Sequence, residues 1–260
     1  MTVRGSPGVL ESDSYGVALR VAQERLRTLD PVKVTERCGA DLVGGDELHV
    51  TLLGQHHVVT LPDASVWYVG EGVPGVQPSP GTCPHCQAEG PLAEARGSGT
   101  VAPDLPTSDP RPATYPNAPL RTPAPIWDAI LMLHYLASEG PIAPDLEPIA
   151  FGDLREGKFY DPAFQGRCRV PLERKFGPAP EKLLAAAEKL GGRAWNRGDV
   201  SVVIPAFPRV DVYLVLYRGD DEFPPSATVL FSSNVAAFLS AEDIAVLGGA
   251  VVGRLGRALA

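Results

Sequence analysis

A chain of 260 residues that is 44% hydrophobic can bury a sizeable core, either in one large domain or in two small ones. Its formal net charge of -8 and pI near 5.2 speak against a nucleic-acid partner, because such binding rests on a basic surface that displaces counterions from phosphates. The first thirty residues lack an apolar run of signal-peptide length, "IAVLGGAVVG" near the end is too short to span a bilayer, and four cysteines are too few for a disulfide framework. A cytoplasmic protein with reduced thiols and no membrane partner is the expectation.

Residues 1–13 read as a flexible N-terminus, and residues 14–69 as the first part of an α+β domain. In "SYGVALRVAQERLRTL" the apolar groups at Tyr15, Ala18, Ala22, Leu26 and Leu29 share one helix face. Asp30 is placed to cap a second short helix, with Pro31 suiting its first turn and Gly39 its end. "ELHVTLLGQHHVVTLP" then alternates as a hairpin with Gly54-Gln55 as its two-residue turn, and "SVWYV" adds a third strand. That turn sets His56 opposite Leu53 and His57 opposite Leu52, so the two rings point to opposite faces. His49 shares a face with His56 but falls about 13 Å away along the ladder, from four residues at roughly 3.4 Å each.

Residues 70–125 hold 13 prolines and 7 glycines and no Phe, Ile, Met or Trp. Such a segment buries too little apolar surface to offset the entropy of ordering it, so 70–124 is expected to be a long irregular insertion. It contains "SPGTCPHCQAEG". Cys-Pro-His-Cys is also the active-site tetrapeptide of DsbA-type oxidoreductases, but the flanks supply neither the preceding apolar strand nor the following helix that would lower a thiol's pKa. A second reading is a knuckle in which Cys83 and Cys86 hold zinc or an iron-sulfur cluster, completed by Cys38 and Cys168 or by a second copy of the chain in a homodimer. The third is a local turn with inert thiols.

Residues 125–260 read as the remainder of the same domain. Pro125 opens a helix, "IWDAILMLHYLASEG", that is apolar on nearly every side and so calls for neighbours all round. Asp161-Pro162 is placed to start another helix by the same capping logic as Asp30-Pro31, and "PEKLLAAAEKLGG" makes a short one stopped by glycines. Three strand runs follow, "VSVVIPAF", "VDVYLVLY" and "ATVLF". The last helix is capped by Ser240, with Asp243 completing a capping box and Ile244, Leu247, Val251 and Leu255 forming the inner stripe. Strands and helices in blocks predict an α+β fold, with antiparallel strands packed against helices in one globule.

"LMLHYLASEG", "FGDLREGKFYDPAFQGRCRVPLERKFG", "LGGRAWNRGD", "FPRVDVYLVLYRGDDEFPPSATVLF" and "AEDIAVLG" together resemble the prokaryotic family known as domain of unknown function 3786. The resemblance takes in roughly residues 14–69 and 125–255. It implies a fold family but no activity, and some members bear an iron-sulfur-type cysteine motif at the N-terminus. Where the family often has an acid and a histidine after the "VLF" strand, Ser232 and Phe238 stand here.

Several residues outside the cysteine pair are candidates for ligand binding. His134 is an ionisable ring in an otherwise apolar helix, where it is either a satisfied core histidine or a ligand or proton-transfer group. Asp220, Asp221 and Glu222 crowd three carboxylates onto a turn, either as solvated charges or as oxygen ligands and proton-transfer groups. Arg167 and Arg209 suit an anionic substrate, and Tyr160 either joins the same pocket or packs. No P-loop, G-x-G-x-x-G, G-x-S-x-G or H-E-x-x-H is present. The leading expectation is a small-ligand or cofactor-binding accessory protein, linked to metal or redox metabolism, with its pocket between the His134 helix and the strands leading to Asp220. The alternatives are a metal-knuckle module that binds a protein partner, and an enzyme using the acidic turn with His134 or Arg209.

Overall fold

A computed structural model describes residues 8–70, 121–140 and 147–259, with side chains from residue 14 onward. The fold is α+β. Helices α1 (Gly8–Arg27) and α2 (Pro31–Cys38) lead into a five-stranded antiparallel meander, β1 (Asp41–Val43), β2 (Glu47–Leu52), β3 (Gln55–Thr60), β4 (Ser65–Val69) and β5 (Arg121–Pro123). Helix α3 (Ile126–Leu136) follows. Then come β6 (Ile149–Ala150), a 3-10 turn at Phe151–Asp153, α4 (Asp161–Arg167), α5 (Arg169–Phe176) and α6 (Lys182–Glu188). Strands β7 (Arg193–Ala194), β8 (Val200–Phe207), β9 (Val210–Tyr217) and β10 (Ser226–Phe231) complete a second antiparallel sheet of order β6-β10-β9-β8-β7, and α7 (Ala241–Ala258) ends the chain's regular structure.

Local signals account for most of these boundaries. Asp30 accepts a hydrogen bond from Val32 N, and Gly39 closes α2 with φ at 67°, a conformation that glycine adopts without a Cβ penalty. At α7, Ser240 accepts from Asp243 N while Asp243 reaches back to Ser240, the expected capping box. Ile244, Leu247, Val251 and Leu255 are all buried. On α1, Ala22 and Leu26 are buried, as the 3.6-residue period requires.

Four local expectations need correction. The stretch read as a flexible N-terminus through residue 13 is already helical from Gly8, where α1 begins. Asp161 does not cap α4: Tyr160 occupies the cap without a side-chain bond, Asp161 is already helical, and its carboxylate accepts instead from Gln165. The tract expected to be irregular through 124 gives up its end to a strand, since Arg121–Pro123 pairs with β4. Pro123 has no N–H to donate, and β5 is the edge strand, where that lack is tolerated. The hairpin turn is centred on Leu53-Gly54, one residue earlier than Gly54-Gln55, with Leu52 opposite Gln55.

Leu53 and Gly54 take φ of 51° and 75°, the two left-handed positions of a type I′ turn. A branched residue is uncommon there, so the sequence points to the wrong pair. Burial supplies the reason: the Leu53 side chain is fully enclosed, and its N–H donates to Ala206 O of β8 at 3.0 Å. The hairpin tip is thereby fixed on the second sheet. Buried apolar residues from α1, α2, the meander, α3, the second sheet and α7 form one continuous cluster. Helix α3 lies within it, touching α1, α2, β4 and α7.

Candidate functional site

Helix α3 has one acid, Asp128, in an otherwise apolar first turn, and α7 has one arginine, Arg254, on the side of its inner stripe. Packing of α3 against α7 brings them together. Arg254 Nη2 donates to Asp128 Oδ2 at 2.6 Å, with the two side chains 9% and 12% exposed. Arg254 Nη1 is also buried and has no hydrogen-bond partner among the described residues. Burying a guanidinium with a free N–H is costly, and a group in that state calls for an acceptor.

His57 lies under the same region. Its ring is fully buried, Nδ1 stands 3.0 Å from Gln55 O, and Nε2 has no partner among the described residues. A carbonyl only accepts, so Nδ1 carries the proton and Nε2 is the lone-pair nitrogen. Burial pushes the His57 pKa down, against the Gln55 carbonyl and the charge of Asp128, while Arg254 adds to the lowering.

Above this pair opens a cleft of about 420 Å³ lined by Gln55, Pro125, Asp128, Leu190, Arg254 and Arg257. Ala258 adds to its rim, with its carbonyl held by Lys189 Nζ at 2.6 Å. The volume falls within the range of small-molecule sites. Arg257 is exposed and makes no ion pair among the described residues.

His134 lies on α3 two turns beyond Asp128, and its side chain is 34% exposed, so it is not a core residue. Its Nδ1 is 2.9 Å from Asp243 Oδ1. Ser240 Oγ donates to Asp243 Oδ2 at 2.7 Å, so the α7 capping carboxylate orients the imidazole as well. Burial raises the Asp243 pKa, but the hydrogen bonds from His134 and Ser240 outweigh it and leave the carboxyl below its ordinary value. Near Ser240 a second cleft, about 470 Å³, is lined by Arg25, Glu139, Gly140, Phe238 and Leu239 among others.

The remaining candidates are dispersed. Asp220 Oδ1 accepts from the backbone N–H groups of Glu222 and Phe223, which hold its pKa below the usual carboxylate range on an exposed turn. No hydrogen bond or ion pair joins Asp220, Asp221 or Glu222 to His134 or Arg209 among the described residues, nor does any trio of His, Cys, Asp or Glu there gather as a metal site. Tyr160 is 66% exposed, and Arg167 lies exposed against Gly249. Arg209 is exposed too, and its backbone N–H donates to the Tyr135 hydroxyl, which itself donates to Cys38 O. None of these residues lines either cleft.

Cys38 and Cys168 are free, buried thiols in different surroundings. Cys38 Sγ faces Tyr135 O at 3.3 Å, whereas Cys168 lies beside Gly248 of α7. Burial raises both thiol pKa values, that of Cys168 to about 12, so neither is poised as a thiolate ligand. Cys83 and Cys86 lie outside the described residues.

The histidines of the meander are closer than the hairpin prediction allowed. Moving the turn centre by one residue sets His56 opposite Thr51, so His49 is its diagonal neighbour on the same face. His49 Nδ1 and His56 Nε2 are 3.1 Å apart, and His49 Nε2 is 3.2 Å from Glu47, which Arg121 clamps at 2.6 and 3.0 Å. His57 points to the opposite face, as expected.

Sequence reasoning missed Asp128, Arg254, Arg257, His57 as a cleft neighbour, and Asp243 as the partner of His134. A lone acid in the α3 apolar run and an arginine three residues after Val251 were the available signals.

A family model described as a domain of unknown function (DUF3786) matches residues 113–254, more than half of the chain. The chain belongs to the DUF3786 family. The matched stretch runs from before α3 almost to the end of α7, so it contains Asp128, His134, Asp243 and Arg254 but not Arg257. The resemblance noted over residues 14–69 lies outside it. No curated protein and no solved structure matches the chain. No helix among the described residues is long and apolar enough to cross a membrane.

Proposed function

We propose that this DUF3786 chain is a cytoplasmic small-ligand-binding accessory protein, with its binding site in the cleft bordered by the start of α3, the end of α7 and the β2–β3 turn. The observation that carries the reading is the Arg254 guanidinium, nine-tenths buried, with one terminal nitrogen committed to Asp128 and the other terminal nitrogen without an acceptor among the described residues. A protein selected only for stability replaces such a pair by apolar residues at little cost. A cleft of ligand size lined by the residue whose guanidinium lacks that acceptor favours binding as the reason for the pair.

The test is to purify the chain from its own host, denature it, and analyse the released small molecules by mass spectrometry beside the Asp128→Asn/Arg254→Met double variant. The expected result is a molecule released in stoichiometric amount by the native chain and absent from the variant. Release of the same molecule from both counts against this cleft.

A second reading, proton transfer by His134, has one observation in its favour. Asp243 holds Nδ1 of a half-exposed ring and leaves Nε2 to act as a base.

A further inference from the structure

We infer that the cleft takes a small monocarboxylate with an apolar body; this rests on the binding reading above and names the ligand class of that site. The charge count comes first. Arg254 is offset by Asp128, and Arg257 adds a second positive charge with no partner among the described residues. The start of α3 adds to this, because its cap residue is Pro125 and no side chain caps the first-turn amides. Among the side chains that line the cleft the excess is therefore about one positive charge, in a chain whose net charge is -8; the exposed Lys189 ammonium stands at the rim, committed to the Ala258 carbonyl, and is not part of the lining. A single negative charge matches it. A doubly charged phosphate would place an uncompensated charge beside Asp128.

The donors select a planar oxyanion. Arg254, whose buried Nη1 lacks a partner among the described residues, and Arg257 both line the cleft, and a carboxylate presents two oxygens that arginine donors satisfy well. The rest of the wall is short of charge: Pro125, Leu190 and Ala258 offer apolar surface, and Gln55 contributes one amide. A volume of about 420 Å³ is enough for a small acid. Binding energy then comes from one charge-assisted anchor plus burial of the apolar body.

The test is isothermal titration of the full chain with acetate, butanoate and hexanoate, with hexanamide as the neutral isostere and inorganic phosphate as the competing anion. Affinity is expected to rise along the acid series, and hexanoate should bind at least tenfold more tightly than hexanamide or phosphate. Arg257→Ala, which removes the excess charge, should weaken hexanoate at least tenfold and bring it close to hexanamide, and Asp128→Asn/Arg254→Met, which removes the Arg254 donor without stranding a buried charge, should weaken hexanoate severalfold. Circular dichroism confirms that each variant is folded. Equal binding of hexanoate and hexanamide, or tighter binding of phosphate, overturns the carboxylate while leaving the cleft as the site. Hexanoate binding unchanged in the double variant overturns the cleft itself, and binding of no probe in the millimolar range overturns the carboxylate inference.

Discussion

Arg254 of α7 donates to Asp128 of α3 across 2.6 Å, 126 residues apart in the chain and almost wholly out of solvent. Removing one partner of such a pair leaves an unpaired buried charge. Asp128→Asn and Arg254→Met are each expected to cost about 3–5 kcal/mol. The Asp128→Asn/Arg254→Met double variant should cost clearly less than the sum. Urea unfolding of the four proteins measures the coupling, and additive losses would show that the pair is not coupled.

The hairpin tip gives a second prediction. A Cβ at Gly54 would stand 2.8 Å from the Leu190 carbonyl carbon, at a φ of 75°. Neither backbone moves cheaply, so Gly54→Ala should destabilise by about 2 kcal/mol or more, whereas Gly45→Ala meets no neighbour and should cost only its backbone strain. Thermal unfolding of the two variants side by side decides this. A milder effect at Gly54 than at Gly45 would contradict the docking of the turn against Leu190.

The pH dependence follows from Asp243. Its folded-state pKa is lowered, so its carboxylate contributes stability above the ordinary carboxylate value of about 4, and that contribution is lost as pH falls through the lowered value. Asp243→Asn should therefore be less stable than the parent at pH 7, with the gap narrowing below about pH 4. His134→Ala should show a smaller loss at pH 7. Urea midpoints between pH 7 and 3 test both, and a gap that widens in acid would reverse the sign.

Thiol chemistry supplies a fourth prediction. In the Cys83→Ser/Cys86→Ser variant only Cys38 and Cys168 remain, both buried with raised pKa values. Native protein should react with a thiol reagent only at the rate of its opening, and both groups should react at once in denaturant. Metal analysis of the same variant tests the knuckle reading: an unchanged metal content and oligomeric state would remove it.

What was legible in the sequence followed from short-range physics. The Ser240–Asp243 capping box and the inner stripe of α7 need only neighbours three and four residues apart, and the structure has both. The turn at Leu53 was not legible because tertiary burial, not turn propensity, puts a leucine at φ 51°. That single displacement turned a 13 Å separation of His49 and His56 into a 3.1 Å contact. Of the candidate residues, only His134 acquires an ionisable partner in the core-facing packing, through Asp243. Asp128 and Arg254 each break an apolar pattern, but their pairing depends on how α3 crosses α7, which no local period encodes.

The central claim, that the cleft over Arg254 binds a small ligand through its unsatisfied guanidinium, is tested most directly by an NMR titration that follows the arginine side-chain N–H signals while hexanoate is added. The account predicts a saturable shift of the Arg254 resonance, with a midpoint that moves to higher hexanoate concentration in Arg257→Ala. An Arg254 signal that stays fixed while hexanoate saturates the protein would contradict it.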